Sequence, residues 1–352
     1  MDQLPARIDQ PGQSGTWTTR EIDVVETEIA LLDGVPEGGG GSAVGVLLGG
    51  VLTGGPSWEW VFYVNVPIGV IVFIGLTRTL PTEPPTGSRV RLDVPGALLV
   101  TAGTGTAIYG LIGAGDRGWV SAATLGLLAG AVILYAVFVV VQRTSRSPLM
   151  DLGILTRRPV TSGIFLILVA TALMISVFFL GSFYLQHHEG FGALQTGLLF
   201  LPVAVATIIG AQAAGRLVGS AGARPTAVAS MLIAAVGLAV PAFLQGPMPV
   251  VIGVSLGAAG IGAAFVASST TALSQVAHHE AGLASGLLST FHEFGASLGV
   301  AVVSSIAAAS LAGSTDVGFS QAFTFAAVTA AVSAVLALLI VPTVRPAVAD
   351  SI

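Results

Sequence analysis

Along most of its length the chain alternates long apolar runs with short polar breaks. A helix needs about 20 mostly apolar residues to cross about 30 Å of hydrocarbon. Ten runs are candidates, at about 41–55, 60–80, 92–113, 119–141, 160–185, 194–217, 225–244, 247–273, 282–309 and 318–341, the first being short and rich in glycine. Lipid offers no partner to backbone N–H and C=O groups, and barrel strands would alternate polarity over about ten residues, so the runs predict helices. The expected fold is all-α, a polytopic transmembrane bundle of about ten spans.

Arginine placement tests that count, because basic residues near span ends collect in alternate loops on the cytoplasmic side. Arg78, Arg89 and Arg91 follow the second span; Arg143, Arg146, Arg157 and Arg158 follow the fourth. Arg216 and Arg224 flank the loop after the sixth, and Arg345 follows the tenth. Of the loops on the other side, only the one after the third span carries a basic residue, Arg117. Both termini are therefore expected in the cytoplasm, with the chain multi-pass in the cell membrane.

Composition agrees with the pattern. Hydrophobic residues make up 53% of the 352 and charged residues 9%, against about 25% in a soluble domain. Eight of the eighteen acids fall within residues 1–38, a polar segment expected to be disordered, so the spans themselves are nearly free of charge. There is no Cys, which removes thiolate metal sites and Cys nucleophiles. Glycine occurs 46 times, and pairs four apart, such as Gly253/Gly257 and Gly295/Gly299, suit close helix approach in lipid.

Four glycines, Gly41, Gly45, Gly49 and Gly50, fall in a stretch that resembles the fifth-helix antiporter motif of drug-exporting major facilitator proteins, with Val46 where that motif has proline. Ser57–Phe62 and Asn65–Gly69 resemble the following loop and sixth helix of the fourteen-span branch. Gly215, Arg216, Gly222 and Arg224 resemble its cytoplasmic loop motif, where the glycines would allow a tight turn and the arginines would hold helix ends and carboxylates. The resemblance covers about residues 41–345 and sets the ten spans in register with helices five to fourteen of that branch. It implies the end of one transporter half at 39–80, two central spans within 81–142, a second half at 143–345 and a tail at 346–352. The family's first four helices have no counterpart in this sequence, which suggests a truncated or shifted reading frame.

Ionisable groups inside spans are functional candidates by default. Glu293, with His292 beside it, lies well inside the ninth span. At 100° per residue Gly286, Ser289, Thr290, Glu293, Ser297 and Ser304 form one polar stripe, and His292 points towards the Gly295/Gly299 face. Two readings stand for Glu293: a proton carrier in a water-filled cavity, or a structural lock that snorkels or pairs with His292 or an arginine. Gln186 and Gln212 suit either a substrate or a helix-to-helix bond. Phe178, Phe179, Phe183, Phe265 and Phe291 suit a drug cavity or plain packing, and Pro67 and Pro202 are positions for helix kinks.

Asp93 is placed for helix capping or an ion pair, and so is Asp151. The triplets His187-His188-Glu189 and His278-His279-Glu280 sit at span ends and read as solvated loops, with no metal expected. No phosphate-binding loop, H-E-x-x-H or G-x-S-x-G is present, so the expectation is an ion-driven transporter, with no enzyme activity and no cofactor. Its expected partners are the lipid bilayer, a drug-like small molecule such as an antibiotic, and the proton, with no nucleic acid. The alternative is a non-transporting membrane scaffold, a remnant of such a transporter.

Overall fold

The computed structural model describes residues 48–49, 51–52, 59–79, 93–145, 152–274, 276, 280–311 and 317–343. Among these residues nine helices are long and apolar enough to cross a membrane. They are α1 (Trp60–Thr79), α2 (Val94–Ile112), α3 (Ala122–Thr144), α4 (Arg158–Phe183), α5 (Ala193–Ala221), α6 (Ala223–Phe243), α7 (Pro247–Leu273), α8 (Ala281–Leu311) and α9 (Val317–Ile340). They match the second to tenth predicted spans. The first predicted span lies almost wholly outside the described residues, as do residues 1–38, Gly41, Gly45, Gly50, Arg89, Arg91, Arg146, Asp151, His278, His279 and Arg345.

Helix limits follow from caps and breakers. Asp93 caps α2 by accepting from the Gly96 amide at 3.0 Å, and Ser121 caps α3 by accepting from Thr124 at 3.2 Å. Gly222 ends α5 at φ +93°, a backbone region that side-chain-bearing residues avoid, and α6 starts at the next residue. Pro202 stands in the first turn of the longer part of α5, and the helix is interrupted at Phe200 between Leu199 and Leu201. Pro67 stands likewise just after a break at Val64 in α1.

α4 to α9 form one bundle, with α7 and α4 the most buried members. α7 packs on α6, α5 and α4, while α9 covers α6, α8 and α4. Water drives no burial between helices inside a bilayer, so close packing depends on small residues. A Cβ on Gly237, Gly253 or Gly260 would run into the facing backbone or side chains across the α6–α7 contact. A Cβ on Gly210 would overlap the Ala259 carbonyl between α5 and α7.

The α2–α3 hairpin leans on α8. At one end Trp119 Nε1 donates to Ser305 Oγ at 3.0 Å. At the other, Leu99, Val100 and Phe138 pack with Leu283, Leu287 and Phe291 around the fully buried Ile154, which a 3-10 turn (Leu152–Thr156) inserts there. Gln142, buried near the end of α3, donates to Asp93 and so joins the two ends of the hairpin. None of the residues of α1 is buried.

Candidate functional site

α8 runs 31 residues without a break. Its rotation is fixed by Gly295 and Gly299, where a Cβ would overlap the Leu168 and Ala172 carbonyl oxygens of α4. That contact turns Gly286, Ser289 and Glu293 outwards, and all three are exposed. Thr290 donates to the Gly286 carbonyl and Ser297 to the Glu293 carbonyl, both at 2.9 Å, so these hydroxyls are satisfied within the helix. The predicted stripe is thus open in its first half and covered in its second. Ser297 is buried, and Ser304 lies beneath Gly115 of a short helix, Ala114–Arg117.

The Glu293 carboxylate has no hydrogen bond or ion pair among the described residues. His292, one residue earlier, turns inwards to the side held by α4 and α7. Its Nδ1 lies 3.1 Å from Thr171 Oγ1, and its ring lies 5.7 Å from that of Phe265. Thr171 is buried at 1% exposure, so the contact is enclosed on the α4 side. The two neighbours therefore occupy different environments, and the His292–Glu293 pair considered from the sequence does not form.

The other sequence candidates scatter. Gln212 is exposed on α5 with no partner among the described residues. Gln186 donates to Ser182 at 2.8 Å within one turn of its own helix. Arg224 reaches across to the Leu338 carbonyl near the end of α9, whereas Arg216 is exposed with no partner among the described residues. Among the described residues neither meets a carboxylate. Of the loop glycines, Gly222 has the required backbone angle, while a Cβ on Gly215 would meet nothing within 4 Å; the same is true of Gly49.

Phe178 stacks on Phe200 with ring centres 5.3 Å apart, and Phe179 meets Phe183 at 4.7 Å, so these aromatics pack against the core. Phe291 packs in the cluster around Ile154. His187 and His188 lie against Phe183 and Tyr184, and no group of three His, Cys, Asp or Glu suited to a metal occurs among the described residues. Glu280 departs from the solvated-loop reading: it takes Arg157 in two contacts at 2.8 and 3.1 Å. On the side of α8 opposite Glu293, a cavity of about 130 Å³ between α4, α8 and α9 is lined by apolar residues such as Leu168, Leu298, Val302 and Phe325.

Sequence reasoning did not find Thr171, Gln142, Trp119–Ser305 or Arg157–Glu280. Thr171 sits in an apolar run with nothing to distinguish it from other span threonines, and its partner is 121 positions away. Gln142 carried the one available signal, a large amide next to a span end.

Residues 38–300 match the sequence profile of the Major Facilitator Superfamily. The chain is 34% identical over 295 residues to the puromycin resistance protein of Streptomyces alboniger, covering 81% of this chain and 58% of that protein. It is 35% identical over 311 residues to the cephamycin export protein CmcT of Amycolatopsis lactamdurans, covering 85% and 61%. With the multidrug resistance protein Stp of Mycobacterium tuberculosis it shares 31% over 284 residues, covering 80% and 53%. The chain thus spans between about half and three fifths of the length of these relatives. The profile match over most of the chain, on a bundle of membrane-length helices packed through glycine, makes this chain a multi-pass membrane protein of the major facilitator superfamily.

Proposed function

We propose that this protein exports amphipathic, drug-like small molecules across the cell membrane in exchange for protons, by alternating access, with its arginine-rich loops and both termini in the cytoplasm. The observation that carries the reading is Glu293, a carboxylate with no partner among the described residues, on the open face of a long membrane helix. A charged carboxylate at that depth is expensive without water or a partner, and protonation removes the charge. A group in that position takes a proton when water reaches it and releases it when access changes, which is the step antiport requires. The relatives named for puromycin resistance, cephamycin export and multidrug resistance support the substrate class.

In this reading Ser289, Thr290, Gln212 and Gln186 border the substrate path, with Ser297 deeper along the same stripe, and His292 assists the coupling. Residues 39–80 belong to one transporter half, 81–142 contain the two central spans and 143–345 form the other half. Turnover is transport and involves no enzymatic chemistry or cofactor. Everted membrane vesicles containing the full chain should show drug-dependent proton release that is lost in Glu293→Gln. Absence of release from the unaltered chain overturns export by this chain, and undiminished release from Glu293→Gln overturns the role of Glu293.

A further inference from the structure

Many hydroxyls inside these helices are satisfied by their own backbone. Ser162, Ser176, Thr207, Thr271, Thr290 and Ser297 each donate to a carbonyl four residues earlier in their own helix. Thr171 does not. Its one hydrogen bond among the described residues is to His292 Nδ1, although the Ile167 carbonyl stands four residues back. A hydroxyl at 3.1 Å from Nδ1 either donates to its lone pair or accepts from an Nδ1–H, and the two cases correspond to the two neutral tautomers of the ring.

We propose that Thr171 is a positioning residue for proton coupling: by donating to Nδ1 it holds His292 as the neutral Nε2–H tautomer and occupies the one nitrogen able to take a proton. Proton uptake by His292 then requires the Thr171 hydroxyl to turn away, and the Ile167 carbonyl is the acceptor its neighbours already use. Once Nδ1 is protonated it becomes the donor and Thr171 Oγ1 the acceptor, so the bond between α4 and α8 reverses direction with the charge. Movement of α4 relative to α8 opens Nδ1 in the same way, which ties proton acceptance to helix arrangement. Of the helices packed against α8, α7 and α9 carry no titratable group and α4 none between Arg158 and Tyr184; α2 carries Tyr109, the short helix Ala114–Arg117 carries Asp116 and Arg117, and on α8 itself Glu293 points about 100° away. Among the described residues His292 Nε2 has no hydrogen-bond partner.

This inference rests on the proton-coupled reading above, and its test does not need transport. The full chain, labelled with 15N-histidine and placed in lipid nanodiscs, contains five histidines, of which His292 is assigned by comparison with His292→Asn. At a pH well above the ordinary imidazole range, the His292 signals should be those of an Nε2–H ring whose Nδ1 accepts a hydrogen bond. In Thr171→Val the Nδ1 resonance should move downfield to the position of an unbonded lone pair, and Thr171→Ser should keep it where it was. An Nδ1–H ring in the unaltered chain, or an Nδ1 resonance indifferent to Thr171→Val, overturns the assignment. A chain that moves no drug but shows the expected spectrum overturns the export reading alone.

Discussion

Arg157 and Glu280, 123 positions apart in the chain, meet in a two-pronged ion pair that ties the entrance of α4 to the entrance of α8. Glu280 is 17% exposed and Arg157 36%, so the pair is partly shielded and lies against the cluster around Ile154. Its planar geometry suits Arg and would not suit Lys.

Glu280→Gln should lower stability by about 0.5–1 kcal/mol, solvent screening on the Arg157 side holding the effect down. Arg157→Lys should show a similar loss. The exchange Arg157→Glu with Glu280→Arg should recover part of it, measured as thermal unfolding of the purified chain in detergent. Two losses that simply add in the double variant Arg157→Ala/Glu280→Ala would show that the two side chains do not interact.

The glycines of α8 should divide sharply. Gly295→Ala and Gly299→Ala place a methyl group on a carbonyl of α4 and should destabilise by about 1–3 kcal/mol each. Gly286→Ala, where nothing lies within 4 Å of the added carbon, should be neutral or slightly stabilising, since alanine favours helix. The same thermal assay checks all three.

Asp93 both caps α2 and receives the buried Gln142 amide. Asp93→Ala should cost about 1 kcal/mol for the cap, and roughly 0.5–1.5 kcal/mol more for the lost bond from Gln142. Ser121→Ala, which removes a cap alone, should cost about 1 kcal/mol. Equal losses at the two positions would mean that the link to Gln142 contributes nothing.

Glu293→Gln should change stability in the thermal assay only within the range of surface substitutions, about ±0.5 kcal/mol, because its carboxylate holds no partner among the described residues. A structural lock would instead lose stability on the same change. Paired with the vesicle assay, this separates a group retained for proton exchange from one retained for packing.

Gly222→Ala should destabilise by about 1–3 kcal/mol, since φ +93° between α5 and α6 is a glycine conformation. Gly215→Ala in the neighbouring helix turn should not, as the added carbon meets open space. Arg224→Ala should lower stability through the exposed end of α9, whereas Arg216→Ala should not.

The sequence alone determined the number and limits of the described helices, because length and hydropathy are local properties set against a fixed membrane thickness. It also placed Asp93 for a cap or an ion pair, Gly295/Gly299 as a packing face and Glu293 as the ionisable residue deepest in a polar stripe, all of which depend on spacing within one helix. Tertiary structure decided the partners. Thr171 meets His292, Arg157 meets Glu280 and Trp119 meets Ser305 only because the helices carrying them are rotated and set at particular depths against one another. Those rotations come from close backbone contacts at glycines such as Gly295 and Gly299, whose neighbours lie more than a hundred positions away in the chain. A periodic pattern says which residues share a face; the shapes of two helices in contact decide what that face meets.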